Sequence, residues 1–135
     1  IPFDNQRVSI ALTGRQLEQV VAANLTRSGS MVVLSGLRAT AQCAGSTVRV
    51  SLHRMSGRAV AQDESLRVVT TDFLATGGDG FLTPAMPVRV LDHSAGVIRD
   101  EIAAWLKGHP GSWGADLLAR PPRVVSAPAR PMACR

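Results

Sequence analysis

The chain has 135 residues, a net charge of +5 and 45% hydrophobic residues, so it can bury one sizeable core. This composition excludes a disordered tail, and no apolar run of about eighteen residues is present to predict a transmembrane span. Four arginines and no acidic residue lie in residues 120–135, which predicts a basic tail on a nearly neutral body. The tail alternates arginine with proline and has no aromatic residue, so bases would find no stacking platform and a nucleic-acid partner is not expected.

The first elements predicted along the chain are a strand and a helix. Val8–Leu12 alternates apolar and small residues, which is typical of a strand. Thr13 stands three residues before Gln16, the spacing of a capping box, so the helix is expected to start at Thr13. Apolar residues then recur at helical spacing as far as Leu25, and the Ser-Gly-Ser at residues 28–30 ends the helix.

The rest of the chain predicts further strands, one tight loop and a second helix. The predicted strands are Met31–Leu34, Thr47–Leu52 and Leu66–Thr71, the loop is Thr76–Gly80, and the helix runs from about Ser94 to Lys107. These elements favour an α+β fold in which two or more helices pack on a mostly antiparallel mixed sheet. The expected division is a domain over residues 1–109 and a Pro/Arg-rich loop and tail over residues 110–135.

Cys43 and Cys134 leave two interpretations open. They lack the CxxC spacing and the clustered histidines of a zinc site, so no metal site is expected from them. One disulfide between them would close a loop of about ninety residues and tether the tail in an oxidising compartment. The alternative is two unpaired cysteines, one in the core and one in a loose terminus.

Signatures of catalysis are absent from the sequence. It contains no GxSxG elbow, no HExxH, no Walker loop and no GxGxxG, and its three histidines are scattered. The set of carboxylates and histidines that a dinuclear metal site needs is also missing. We therefore expect no catalytic residue, no metal ligand and no cofactor in this chain.

The segment from Thr71 to Phe81 holds the motif Gly-Gly-Asp-Gly, which is the most informative part of the sequence. Two consecutive glycines allow positive φ and close approach of the backbone to a ligand, and Asp79 follows them at the tip of a turn. A carboxylate so placed could accept both hydroxyls of a ribose. The motif is also compatible with an ordinary hairpin turn flanked by core phenylalanines.

Two separate blocks of the chain resemble one protein family. The opening Ile1-Pro2-Phe3-Asp4-Asn5, the strand after it and Thr13-Gly14-Arg15-Gln16-Leu17 resemble the "PF-x-N, hydrophobic strand, TG-x-x-L" start of the C-terminal domain of 5'-nucleotidases and 2',3'-cyclic-nucleotide phosphodiesterases. Phe73 and the following Gly-Gly-Asp-Gly are similar to that family's "NF-x-A-T-GGDG-aromatic" loop, with Asp72 where the family commonly has Asn. Residues 35–38, Ser-Gly-Leu-Arg, resemble its strand exit.

The resemblance implies a set of substrate-binding residues: Phe3, Asn5, Phe73, Gly77, Gly78 and Asp79. In that family two aromatic rings sandwich the nucleobase, and by position these would be Phe3 and Phe73. Asn5 would bond the edge of the base, and Asp79 would accept the ribose hydroxyls. Stacking adds about 1–3 kcal/mol per base whatever the base is, so a double sandwich gives affinity while polar groups orient the sugar.

The resemblance also implies a place in a larger protein. In the family, a separate N-terminal metallophosphatase domain holds two divalent metal ions and hydrolyses the ester, whereas the C-terminal domain grips the nucleoside of a nucleoside monophosphate or related nucleotide. The family's "NGGG-x-R" strand precedes the first block, so the domain is expected to lack its N-terminal part here. Members of the family are typically exported or surface-exposed, so the resemblance implies a periplasmic, secreted or cell-surface location. A stand-alone nucleotide-binding module without catalysis is the alternative.

Overall fold

A computed structural model of the chain describes residues 3–29, 32–83, 85–111 and 120–135. Its strands are β1 (Gln6–Thr13), β2 (Leu37–Ala44), β3 (Thr47–Arg54), β4 (Ser65–Thr71), β5 (Arg89–Val97) and β6 (Val124–Ala127). Its helices are α1 (Gly14–Thr26), α2 (Asp72–Ala75) and α3 (Ile98–Gly108), and a 3₁₀ turn covers Gly78–Gly80. The predicted α+β class is confirmed, with the strands arranged in two sheets, β4-β1-β5 and β3-β2-β6.

The chain divides into two compact units, each built from two separate stretches. Unit 1 comprises Ile1–Ala11 and Arg67–Pro121, and unit 2 comprises Leu12–Leu66 and Pro122–Arg135. No described helix is long and apolar enough to cross a membrane.

In unit 2, α1 begins as its sequence predicts. The backbone N–H of Gln16 donates to Thr13 Oγ1 at 3.2 Å, and Gln16 Oε1 accepts from the backbone N–H of Thr13 at 2.8 Å. This capping box satisfies donors that a helix start otherwise leaves unpaired. The apolar face of the helix is buried beside β3, and each such side chain contributes roughly 1.5–3 kcal/mol on burial. Its buried aliphatic residues are Leu17, Val20, Val21 and Leu25.

Residues 122–135 are part of unit 2, which corrects the prediction of a tail there; residues 112–119 of the predicted loop lie outside the described residues. Val124–Ala127 form β6 and pair in parallel with β2, and the N–H of Ala39 donates to the carbonyl of Arg123 at 2.7 Å. Met132 is 3% exposed, and its N–H donates to the carbonyl of Leu25 at 2.8 Å. The valine pair at the start of β6 is too short to stand out between prolines, so the sequence does not predict it.

The question left open for the cysteines is answered by a Cys43–Cys134 disulfide. It joins the last residue but one of the chain to β2, at a sequence separation of 91. The basic residues of this C-terminal segment therefore lie on a folded unit.

The connection between β3 and β4 is fastened to the start of α1. The N–H of Gly14 donates to the carbonyl of Glu64 at 3.0 Å. A Cβ added at Gly14 would lie 2.2 Å from the carbonyl oxygen of Ala61, so only glycine fits at this position.

The side chain of Glu64 is the centre of a small ion cluster. Its carboxylate accepts hydrogen bonds from the guanidinium groups of Arg58, at 3.0 Å, and Arg54. Hydrogen bonds from Arg58 first and Arg54 second lower the pKa of Glu64 to about 2.

This cluster predicts an acid-dependent stability. Because the pKa of Glu64 is depressed in the folded state, its contribution is complete above its ordinary value of about 4.5 and is lost as the pH falls towards about 2. We expect Glu64→Gln to lower the free energy of unfolding in urea at neutral pH, and the deficit to shrink through that window. Asp63→Asn, at the exposed neighbouring carboxylate, is the matched control. If Glu64→Gln lowers the free energy of unfolding equally at neutral pH and near pH 2, the ionised Glu64 carboxylate does not stabilise the fold.

Two further predictions on elements need correction. Val32–Leu34 form no strand, because they pair with neither sheet in the described part of the chain; the side chain of Val32 is buried at 4% exposure and that of Val33 is 77% exposed, and Met31 lies outside the described residues. In unit 1 the second helix starts at Ile98 and not near Ser94, because residues 94–97 continue β5, which pairs antiparallel with β1.

Candidate functional site

The Gly-Gly-Asp-Gly loop of unit 1 follows α2 directly. Gly77, Asp79 and Gly80 all have positive φ, at 94°, 52° and 60°. Glycine adopts this left-handed region without steric cost, and aspartate tolerates it better than most side chains. The loop is closed by backbone hydrogen bonds from Gly80 to Gly77 at 2.9 Å and from Phe81 to Gly78 at 3.0 Å. The positive φ angles therefore explain the glycines at positions 77 and 80. The side chain of Asp79 is exposed on this loop.

Gly78 is required for a different reason, which is the ring of Phe73. A Cβ at Gly78 would lie 2.6 Å from the Cε1, Cε2 and Cζ atoms of that ring, closer than any real contact. The ring therefore rests on the backbone of the loop, and 45% of Phe73 is exposed. This arrangement holds an aromatic surface beside Asp79 without burying it.

Asp72 joins the loop region to the first residues of the chain. Its Oδ1 accepts the backbone N–H of Gln6 at 3.0 Å and that of Phe73 at 2.9 Å. Thr71 caps the same short helix through its Oγ1, which accepts the N–H of Leu74 at 3.2 Å. One carboxylate thus binds the start of β1 to the residue that carries the exposed ring.

The start of α3 holds the same N-terminal segment from another direction. The N–H of Ile98 donates to the carbonyl of Asn5 at 2.9 Å, and Arg99 Nη1 lies 2.9 Å from Asp4 Oδ1. The carboxylates of Asp100 and Asp4, in that order, raise the pKa of Arg99. These bonds hold the backbone of Asn5 and the side chain of Asp4, which follow Phe3 in the sequence.

The structure places all six predicted substrate-binding residues in unit 1. Four of them lie in α2 and the loop that follows it: Phe73, Gly77, Gly78 and Asp79. The other two, Phe3 and Asn5, lie just before Gln6, which is bound to Asp72. Phe3 is 65% exposed. The two exposed rings are therefore carried by segments that one hydrogen bond joins, since Phe73 follows Asp72 directly and Phe3 stands three residues before Gln6.

The described residues do not form a metal centre. Among residues 3–29, 32–83, 85–111 and 120–135, no three histidine, cysteine, aspartate or glutamate side chains come together in a way that could hold an ion. Cations near the candidate site are already paired, since Arg7 Nε lies 3.0 Å from Glu101 Oε2 and Arg99 is bound to Asp4.

Comparison with known families gives the chain a family. The family described as "5'-nucleotidase, C-terminal domain" matches residues 1–86, which include the six predicted substrate-binding residues. The chain belongs to this family. No curated protein matches the sequence significantly.

The fold of a 5'-nucleotidase C-terminal domain is also found among solved structures. The chain is similar to a protein of Staphylococcus aureus assigned as a 5'-nucleotidase and solved in complex with alpha-ketoglutarate, with a TM-score of 0.60 and 15% sequence identity. The match covers 93% of this chain and 27% of that one, so this chain spans about a quarter of the other's length.

Sequence reasoning about this 5'-nucleotidase C-terminal domain missed two residues that build the site. The sequence marks Asp72 as a departure from the family's Asn, and the Thr-Asp pair before an apolar run is a helix-start signal. Arg99 stands in no recognisable motif. No local pattern reveals their long-range contacts, because Asp72 is bound to Gln6 and Arg99 to Asp4, which are distant in sequence.

Proposed function

We propose that unit 1 is the nucleoside-binding part of a 5'-nucleotidase-like phosphoesterase. The observation that supports this most is the ring of Phe73, which is held on Gly78 next to Asp79 and left open on the surface. In this proposal a nucleobase stacks between Phe3 and Phe73, Asn5 bonds its edge, and Asp79 accepts the ribose hydroxyls. Stacking accepts any base, so the sugar contact distinguishes a nucleoside from other planar molecules.

Hydrolysis is assigned in this proposal to a separate metallophosphatase domain with two divalent metal ions, which would supply an activated water. The described residues of this chain offer no group that could hold those ions. The part of this chain in the reaction is to bind and orient a nucleoside monophosphate or related nucleotide. Orientation of a bound reactant is itself a large contribution to catalysis. The family membership also supports a periplasmic, secreted or cell-surface location.

The first test is a titration of the ¹⁵N-labelled chain with adenosine, followed by amide NMR. We expect shifts that cluster at Phe3, Asn5, Phe73 and the Gly77–Gly80 loop. Full affinity in the absence of any other polypeptide would favour the alternative of a stand-alone binding module. A dispersed spectrum with no shifts at millimolar adenosine would contradict binding of nucleosides by this chain.

The role of Asp79 is tested by Asp79→Asn. Asparagine tolerates the observed φ of 52° as well as aspartate does, so the change removes the charge and leaves the backbone as it is. A hydrogen bond to a charged group is worth about 1.5–3 kcal/mol, so we expect roughly tenfold weaker binding of adenosine or more. The matched ligand is 2',3'-dideoxyadenosine, whose affinity should not change. Equal losses for both ligands would refute the ribose contact.

A further inference from the structure

A groove in unit 2 runs between α1 and the outer edge of β3. Four residues of α1 at helical spacing form one wall, and residues 47–51 of β3 form the other. Its volume is about 400 Å³, within the range of about 300–1,000 Å³ that is usual for ligand pockets. The helix residues in the wall are Arg15, Glu18, Gln19 and Ala22.

β3 is an edge strand, and hydrogen bonds reveal which of its backbone groups face the groove. The N–H of Val60 donates to the carbonyl of Leu52 at 2.9 Å, and the N–H of Arg54 donates to the carbonyl of Arg58 at 2.8 Å. Leu52 and Arg54 therefore direct their backbone groups away from β2. Because these directions alternate along a strand, Val48 and Val50 direct theirs the same way, into the groove.

Residues 58–60 cover only the last part of this edge. A bridge between His53 and Ala59 ends their pairing with β3, and in the described part of the chain no strand pairs with the edge over Thr47–Ser51. Val48 and Val50 thus present their backbone N–H and C=O groups to the groove, and the two residues lie about 6.8 Å apart along the strand. The ligand whose polar groups repeat at that spacing is an extended polypeptide, which adds to a sheet edge as a new strand.

The charge of the groove selects the kind of polypeptide. Two guanidinium groups, those of Arg15 and Arg49, line it against one carboxylate, that of Glu18. Arg15 bonds the neutral amide of Gln62 at 2.8 Å, so its charge is not compensated there. Unit 2 as a whole carries nine arginines and three acidic residues. The lining also includes small and apolar side chains, those of Ala22 and Val48.

We propose that this groove binds an extended acidic polypeptide segment, which pairs with the edge of β3 as a fourth strand. Its acidic side chains lie on the exposed face of the sheet, where Arg49 lies, and its alternate, apolar side chains lie over Val48 and Ala22 on the face that α1 covers. Backbone pairing supplies affinity, and Arg49, with the net positive charge of unit 2, supplies the preference for acidic over basic segments.

The test uses fluorescein-labelled peptides of seven residues and the full chain. We expect a peptide alternating valine with glutamate to bind at least tenfold more tightly, by fluorescence anisotropy, than one alternating valine with lysine. Methylation of every second backbone nitrogen should weaken the glutamate peptide at least tenfold. Lack of binding at 1 mM, equal binding of the two charge types or indifference to methylation would each overturn the proposal.

Variants of the chain locate the binding. Arg49→Glu, in the groove, should weaken the glutamate peptide at least tenfold, whereas Arg38→Glu, on β2 of the same sheet, should change it less than twofold. Val48→Pro removes an edge N–H that pairs with no other strand and should abolish binding. The alternative occupant of the groove is a second copy of the chain, and sedimentation velocity tests for it. A dimer that is lost in Val48→Pro would show that the edge pairs with a second copy, and would overturn the proposal.

Discussion

Replacing Cys43 and Cys134 together by serine is expected to lower the free energy of unfolding by about 3–5 kcal/mol, because the disulfide closes a loop with a sequence separation of 91. The cost arises mainly in the unfolded chain, which gains freedom when the long loop opens. For a chain of this length the loss corresponds to a decrease in Tm of roughly 10–20 °C. Differential scanning calorimetry and urea unfolding measure it directly.

The folded state should show where the bond acts. Hydrogen exchange of Val125 and of the other β6 amides is expected to accelerate in the double variant. The reason is that β6 pairs with β2, and the disulfide ties the residues after β6 to the same strand. Ala133→Ser, an exposed change beside Cys134, is the matched control and should leave Tm unchanged. A double variant within about 3 °C of the wild type would contradict a stabilising role for the disulfide.

The second large effect is expected from one methyl group in the candidate site. Gly78→Ala places a Cβ where three atoms of the Phe73 ring lie 2.6 Å away, so the ring must swing off the loop. If that ring stacks on a base, the loss of stacking weakens adenosine binding roughly tenfold to a hundredfold. The fold should survive, because the ring is partly exposed and has space to move into.

The controls separate displacement of the ring from loss of glycine as such. Gly108→Ala adds a methyl group where no atom lies within 4 Å, so it should leave both binding and Tm unchanged. Phe73→Ala removes the ring altogether and should weaken binding at least as much as Gly78→Ala. Wild-type affinity in Gly78→Ala would exclude a contact between the Phe73 ring and the ligand.

Much of the fold was predictable because several elements carry strong local signals. The capping box fixes the start of α1, and the alternation in Thr47–Leu52 and Leu66–Thr71 marks β3 and β4. By contrast, β2 buries small side chains, Ala39 and Ala41, which do not mark a strand clearly. The start of α3 was placed too early because residues 94–97 carry no strong strand signal, and their place in β5 depends on pairing with β1.

The candidate site was predictable where its residues are close in sequence. The positive φ of Gly77 follows from its place in a glycine-rich turn, and Asp79 follows it on the same loop. The link from Asp72 to Gln6 joins residues 66 apart, and no local pattern encodes such a contact. The binding roles of the six residues stay predictions until the titration is done.

Because each unit is made of two separate stretches of sequence, only some positions are suitable for truncating the chain or for exchanging segments with a relative. The polypeptide crosses between units after Ala11, after Leu66 and after Pro121, so neither unit is one continuous stretch. A fragment that stops at residue 109 loses β6 and leaves Cys43 with an unpaired thiol. Exchange of residues 67–121 with those of a relative, by contrast, leaves unit 2 entirely native while it replaces the loop around Asp79. Recombination at these two points could therefore diversify the ligand without disturbing the disulfide-bonded unit.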